Sequence, residues 1–268
     1  MFTKSLHRVQ SEQRENTEER IPTQPRLPSR AAYLLAAYAQ GRRDFRGWQL
    51  VGVELSGADL HGVNFAGANL ALAKLVDTHL EQADLNAARL RKADLRHAHL
   101  EGADLRAADL RGATLTEADI YDADLSNADL RDVRAIATLF RAANLTHANL
   151  DRADLTGATL ADARLTGADL EGAALRNADL SGADLEGADL ARADLEGADL
   201  TLSDLEQADL SHASLIGTSL DDADLRAADL SESDLSGAST EGAELEGAAL
   251  EGTELAHAED RHPGGRQA

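Results

Sequence analysis

Residues 178–200 read ADLSGADLEGADLARADLEGADL, five Ala-Asp-Leu triplets at a strict five-residue step. The step runs outward from there in both directions. From Leu50 to Leu255, 42 positions fall on multiples of five and 37 of them are Leu. The exceptions are Phe65, Ile120, Ala135, Phe140 and Thr240, and no insertion breaks the register. A five-residue period does not fit an α-helix. At ~100° per residue, successive Leu would drift by about 140° and form no stripe. Within each triplet the period is two, so Ala and Leu point one way and Asp the other, as in a short strand. The two residues that follow must turn the chain. Gly fills the second of them at 17 positions from Gly52 to Gly252, where its tolerance of positive φ suits a tight corner.

Each repeat is therefore a three-residue strand and a corner. Such a unit cannot bury its Leu alone, so the units must wind and stack, pairing backbone groups between coils. Upstream, 1–28 reads as a flexible polar tail. SRAAYLLAAYAQ at 29–40 reads as a capping helix, with Ser29 as N-cap, Gly41 as terminator and Tyr33, Leu34, Ala37 and Tyr38 on one face. The repeat domain is expected over 41–258 and a disordered tail over 259–268. RDVRAIATLF at 131–140 keeps the count but loses the motif, and predicts a bulge or local widening. The last coil has no evident cap, which predicts end-to-end dimerisation or fraying.

There is no Cys, which excludes disulfides, thiol nucleophiles and thiolate metal sites. No apolar run approaches the ~20 residues needed to span a bilayer, and the first twenty residues hold no apolar signal core, so the expected compartment is the cytoplasm. The net charge of −22 is unevenly placed. Residues 177–258 carry only Arg192 and Arg226 against 21 carboxylates, a net of −19. Such a surface repels nucleic acid and anionic membranes and favours basic partners.

The triplets resemble the pentapeptide repeat family, whose pattern is Ala, then Asp or Asn, then Leu or Phe, then two variable residues. The match covers about 43–258. The resemblance implies an all-β fold, a right-handed quadrilateral β-helix with four repeats per twenty-residue coil. Residues twenty apart then stack at ~4.8 Å. It also implies a non-enzymatic protein that works by contact. Some acidic members are dimeric DNA mimics that bind DNA gyrase, which makes gyrase or topoisomerase IV the first partner to test. A homodimer through the C-terminal coil belongs to that expectation, although Glu241 to Ala268 is polar and Gly-rich and no loop projects.

In that twenty-residue register the surface divides into columns. Asp184, Asp204, Asp224 and Glu244 form one acidic column, joined by Glu186, Glu206 and Glu246. Asp169, Asp189, Asp209 and Asp229 form a second on the neighbouring face. Four coils carrying the −19 of residues 177–258 over ~20 Å give about one charge per ångström, against one per ~1.7 Å for duplex DNA. Asp at this position also suits the corner by bonding nearby backbone amides, so the columns serve architecture, mimicry or both. Arg91, Arg111 and Arg131 form a basic column beside Lys92 and Arg152, with Asp94, Asp109 and Asp132 placed to offset it. Asp59, His79, His99 and Asp119 form a fourth column. Both residue types are metal ligands, but with two imidazoles on an exposed face they read as unliganded, and no metal or cofactor is expected. Exposed apolar residues are scattered, with Ile136 and Leu139 of the irregular repeat the best apolar contacts. No catalytic residues emerge, and a filled rod offers no concave pocket. The reading is a protein-binding rod acting as a DNA mimic, with a structural scaffold that lacks mimicry as the alternative.

Overall fold

The computed structural model describes residues 29–253. The two expected tails and the inward placement of Leu255 lie outside the described residues. From Asp44 onward every fifth residue forms a parallel bridge to the residue twenty further on, beginning with Asp44 to Asn64 and ending with Asp229 to Ala249. Four such positions occur per twenty residues, so each coil has four short pairing segments joined by four corners. The chain is a solenoid of stacked twenty-residue coils, about 50 Å long at the ~4.8 Å spacing of paired strands.

One repeat shows how the backbone is satisfied. Asp209 N–H donates to Ala188 O in the preceding coil at 2.9 Å, and Leu210 N–H to Asp229 O in the next at 2.7 Å. His212 N–H reaches Ser231 O at 2.8 Å, and Ala213 N–H closes the corner on Leu210 O at 3.1 Å. The fifth donor, Ser211 N–H, bonds the Asp209 side chain, Oδ1, at 2.8 Å. The acidic residue of the triplet thus caps the one amide that stacking leaves without a backbone acceptor.

Leu and Ala fill the axis. Leu110, Leu190 and their counterparts along the column up to Leu230 are fully buried, as are most of the triplet alanines. Where Thr replaces Ala, at Thr78, Thr138 and Thr218, the hydroxyl donates to a Leu carbonyl of the preceding coil at 2.7–3.0 Å. Those buried hydroxyls therefore carry no unmet hydrogen bond.

The corners correct one expectation. The second corner residue has positive φ at every corner from Gly47 to Gly252, and 24 of these residues are not glycine, Leu72 and Leu202 among them. With the first corner residue at negative φ, this is the pattern of a type II turn. Stacking imposes the turn and carries a cost of roughly 1 kcal/mol wherever a side chain occupies it. Glycine eases the corner without being its cause.

The expected bulge at 131–140 is also absent. Arg134 bridges Thr114 and Asp154, and Leu139 bridges Asp119 and Thr159, in unbroken register. Ala135 and Phe140 occupy adjacent walls of one coil and are both fully buried. The large ring offsets the volume that Ala135 gives up, so the coil closes at normal size.

Helix α1 spans Arg30–Ala39. Ser29 Oγ accepts from Ala32 N–H at 3.1 Å. At the other end Arg42 N–H bonds Ala37 O and Gly41 N–H bonds Tyr38 O, a Schellman motif with Gly41 at φ +92°. Leu34 is fully buried, and Ala31, Ala37 and Tyr38 pack against the first coils. Tyr33 stays half exposed but stacks on Trp48 with ring centroids 5.9 Å apart. Trp48 in turn meets Phe45 edge-on at 4.9 Å. At the other end Leu245 and Leu250 are 38% and 42% exposed, so the axis there is open along its flank. Among the described residues no helix is long and apolar enough to cross a membrane.

Candidate interaction surfaces

The second acidic column is an unbroken ladder. Asp169, Asp189, Asp209 and Asp229 bridge one another in successive coils. Each uses Oδ1 to cap the amide two residues on, at 3.1, 3.0, 2.8 and 2.9 Å respectively. The ladder's charge is held at fixed spacing by the fold itself. Burial raises the Asp189 carboxyl above its ordinary value, and the charges of Asp209, Asp169 and Glu171 add to this against the pull of Ala191 N–H. Like-charge repulsion thus adds to burial at Asp189, whereas at Asp229 the hydrogen bonds from Ser231 hold the carboxyl below its ordinary value.

The first acidic column is different. Asp184, Asp204, Asp224 and Glu244 also stack, and the aspartates cap Glu186, Glu206 and Arg226 N–H at 3.3, 3.0 and 3.1 Å. Arg226 sits among them. Its Nη2 lies 2.9 Å from Glu206 Oε2 and 2.5 Å from Asp224 Oδ2, and its Nε lies 3.6 Å from Glu244 Oε2. That guanidinium holds Asp224 below the ordinary carboxylate range. The first face has the more carboxylates but an arginine bonded among them, whereas none of Asp169, Asp189, Asp209 and Asp229 pairs with an arginine, Arg192 beside them pairing with Glu171.

The basic column is zipped to its neighbour. Arg91 reaches Asp109 at 2.5 Å. Arg111 lies between Asp109 at 2.9 Å and Asp129 at 3.1 Å. Arg131 pairs with Asp129 at 2.7 Å. Arg152 bridges Asp132 at 3.1 Å and Asp151 at 2.7 Å. Arginine and aspartate alternate along this edge, so the column is a neutral ladder without a bare cationic stripe. Exposed pairs of this kind contribute under ~1 kcal/mol each. Asp94, expected beside them, pairs with Arg96 at 2.7 Å instead. Leu139 is 44% exposed and Ile136 half-buried, two apolar side chains without a surrounding patch.

The histidine column holds more than its four residues suggest. His79 and His99 stack face to face, centroids 4.5 Å apart and 4° from parallel. Glu81 and Glu101, two residues further along each coil, turn back toward them. His79 Nδ1 is 2.8 Å from Glu81 Oε1, and His99 Nδ1 is 3.6 Å from Glu101 Oε1. The spacing of that column singles out neither glutamate. The signal was there as His-Leu-Glu written twice, at 79–81 and 99–101, twenty residues apart.

Several known proteins are similar to this chain. The pentapeptide repeats family matches in eight copies, the first at 44–75 and the last at 228–259, leaving out only 133–137 of that span. HetL, a pentapeptide repeat protein of Nostoc sp. strain PCC 7120 involved in heterocyst differentiation regulation, is 36% identical over 83% of this chain and 93% of its own, with a TM-score of 0.46. A pentapeptide repeat protein of the Arabidopsis thaliana thylakoid lumen is 34% identical over 37% of this chain and 63% of its own, with a TM-score of 0.27. A trypsin-treated form of QnrB1, a plasmid-mediated fluoroquinolone resistance protein, is 19% identical over 76% of this chain and 89% of its own, with a TM-score of 0.45. No curated protein matches the chain. The repeated triplet, its twenty-residue stacking and a family match spanning most of the molecule lead to one conclusion: the chain belongs to the pentapeptide repeat family.

Proposed function

We propose that this chain is a non-enzymatic protein-binding rod whose C-terminal acidic face substitutes for a DNA backbone against a type II topoisomerase, DNA gyrase first and topoisomerase IV second. One observation carries the reading: the ladder Asp169, Asp189, Asp209, Asp229, a row of carboxylates at strand spacing none of which pairs with an arginine, Arg192 at their edge pairing with Glu171. A basic cleft that tracks phosphates meets in it a rigid line of negative charge, and association through such a line is steered electrostatically. The proposal takes the coil as right-handed and quadrilateral, in keeping with the family. It takes the protein as cytoplasmic and as a homodimer joined through the C-terminal coil, where Leu245 and Leu250 stand exposed.

The experiment exploits the triplet's own chemistry. Asn64, Asn69, Asn144 and Asn149 occupy the Asp position elsewhere and cap the same amide through Oδ1. Replacing Asp169, Asp189, Asp209 and Asp229 with Asn therefore removes charge and keeps the cap. Inhibition of gyrase supercoiling by the unaltered protein, steep loss of binding with salt, competition by DNA, and loss of all three in the four-fold variant are expected. No effect of the unaltered protein on supercoiling or on fluoroquinolone-induced cleavage sinks the topoisomerase reading.

A second reading is a regulatory scaffold that binds proteins without mimicry. It is favoured by the Asx caps, which give the aspartates an architectural role, and by HetL, a relative involved in differentiation control. Partner binding that survives the four-fold Asn variant selects it.

A further inference from the structure

We propose that the paired His-Leu-Glu segments at 79–81 and 99–101 form a binding site for one first-row divalent cation, of which Zn2+ is the best fit, clamping two successive coils. Three residues from two coils converge: one ligand atom from each of His79, Glu81 and His99 lies within 4.8 Å of the others. Glu101 stands beside them, its Oε1 3.6 Å from His99 Nδ1. The cluster differs from the carboxylate ladders in kind, because imidazole nitrogens select zinc, nickel and copper over magnesium and calcium.

The independent observation lies in the carboxylates. Glu81 Oε2 and Glu101 Oε2 are both buried, and neither has a hydrogen-bond partner. Among the described residues these are the only buried side-chain oxygens or nitrogens left without one. An ionised oxygen removed from water with nothing to meet it is costly, and a cation is the partner that removes that cost. Two adjacent coils show the same defect on the same side of the same histidine stack.

The geometry needs little adjustment. Tetrahedral zinc at ~2.0–2.1 Å from each ligand sets ligand atoms about 3.4 Å apart. The side chains of His79 and His99 are 48% and 42% exposed, which leaves their rings free to draw in from the present separation. Coordination exchanges the His79–Glu81 contact for bonds to the metal and leaves the backbone alone. Asp59 and Asp119 bridge the outer sides of the two histidines and lend the site two further negative charges. The consequence is a staple close to α1, because His61, one coil before Glu81, supplies the carbonyl that accepts the Tyr38 hydroxyl at 2.9 Å.

The full chain, freed of metal with a chelator, is titrated with Co2+ and read by its visible d–d bands, then challenged with Zn2+. Saturation at one equivalent of Co2+ per chain in a four-coordinate band pattern, with displacement by Zn2+, is expected. His99→Ala and the isosteric Glu81→Gln each abolish the band or weaken uptake by at least about tenfold, the order of loss when a metal site is impaired. His97→Ala keeps it, since His97 pairs with Glu117 outside the cluster. Circular dichroism checks that the variants keep the coil, and Glu81→Gln serves where His99→Ala does not fold. Absence of a saturable band, or uptake unchanged in both cluster variants, overturns the site.

Discussion

The coils before about residue 160 and those after it share one core and one set of corners and differ in how their surface charges are partnered. In the first group, arginines and aspartates alternate across coils, as Arg91, Asp109, Arg111, Asp129 and Arg131 do. In the second, Asp169 to Asp229 stack like against like, and Arg226 neutralises only the adjoining face. The first group ends under a helix, with Leu34 buried and Trp48 between Tyr33 and Phe45. The second ends with Leu245 and Leu250 exposed. Backbone pairing between coils is so regular that the surface varies without breaking the register. The solenoid is thus a neutral carrier, and its ends differ by what has been written on the corners and the triplet centres.

The strongest way to break that comparison is through the axis. Leu110→Asp and Leu190→Asp each set an unpaired charge among fully buried side chains and are expected to destabilise by about 3–5 kcal/mol. Chemical denaturation should find the two costs alike. An unchanged midpoint for either would show that the halves do not share one core. The ends come next. Leu34→Ala is expected to cost ~2–5 kcal/mol and to raise hydrogen exchange in the first coils, whereas Leu250→Ala stays within about 0.5 kcal/mol in a monomer. Sedimentation sharpens the second case, for if the open end joins two chains, Leu250→Ala shifts the protein toward monomer.

A third pair of variants separates charge from architecture. Asp189→Ala removes the acceptor for Ala191 N–H and should cost ~1 kcal/mol. Asp189→Asn keeps that acceptor and removes the repulsion, so it should hold or raise stability. Its amide also gains a partner, as Asn149 Nδ2 does on Asp169 Oδ2 at 2.9 Å. At Asp109 the same Asn change strips Arg91 and Arg111 of a shared carboxylate and lowers stability by up to ~1 kcal/mol. Opposite signs for the two Asn variants in thermal melts are the signature of the two surfaces, and equal signs would erase the distinction.

Much of this was legible in the triplet. The five-residue step excluded a helix, and the alternation within ADL placed Ala and Leu inside and Asp outside. The number of coil sides was not legible, because a period of five repeats indefinitely and only pairing between residues twenty apart, such as Asp169 with Asp189, closes the ring. Glycine misled in part. Its frequency suggested that it makes the corners, yet Leu202 and Lys92 adopt the same positive φ because stacking enforces it. The irregular repeat misled through its motif, since Ala135 and Phe140 trade volume within one coil and keep register. On the surface, the acidic and basic columns were visible as spacing, but the zipping of Arg111 to two aspartates was not. That pairing runs from a corner to the triplet centre just before it, Asp109, and to Asp129 in the next coil. Glu81 and Glu101 escaped for a related reason, as they belong to a neighbouring column and reach the histidines only by turning back along the chain.

The smallest expected effect, under ~1 kcal/mol at these part-exposed groups, is also the one that separates Asp189 from Asp129 by sign. The Asp189 carboxyl is raised above 3.8, first by burial. A raised acid binds its proton more tightly in the folded state than in the unfolded one. Its contribution is therefore fully present below pH 3.8 and is lost as pH rises through the folded value. Asp129 is lowered below 3.8, first by its hydrogen bond from Arg131. Its contribution is present above pH 3.8 and is lost as pH falls through the folded value. Asn does not titrate, so each Asn variant isolates one carboxyl. The advantage of Asp189→Asn over the unaltered protein should grow as pH climbs from 3 to 7, while the deficit of Asp129→Asn should shrink as pH drops over the same range. Thermal melts across that window measure both. Parallel pH profiles for the two variants would mean that Asp189 is under no more electrostatic tension than Asp129, and the proposal that its charge is kept for a partner would lose its physical basis.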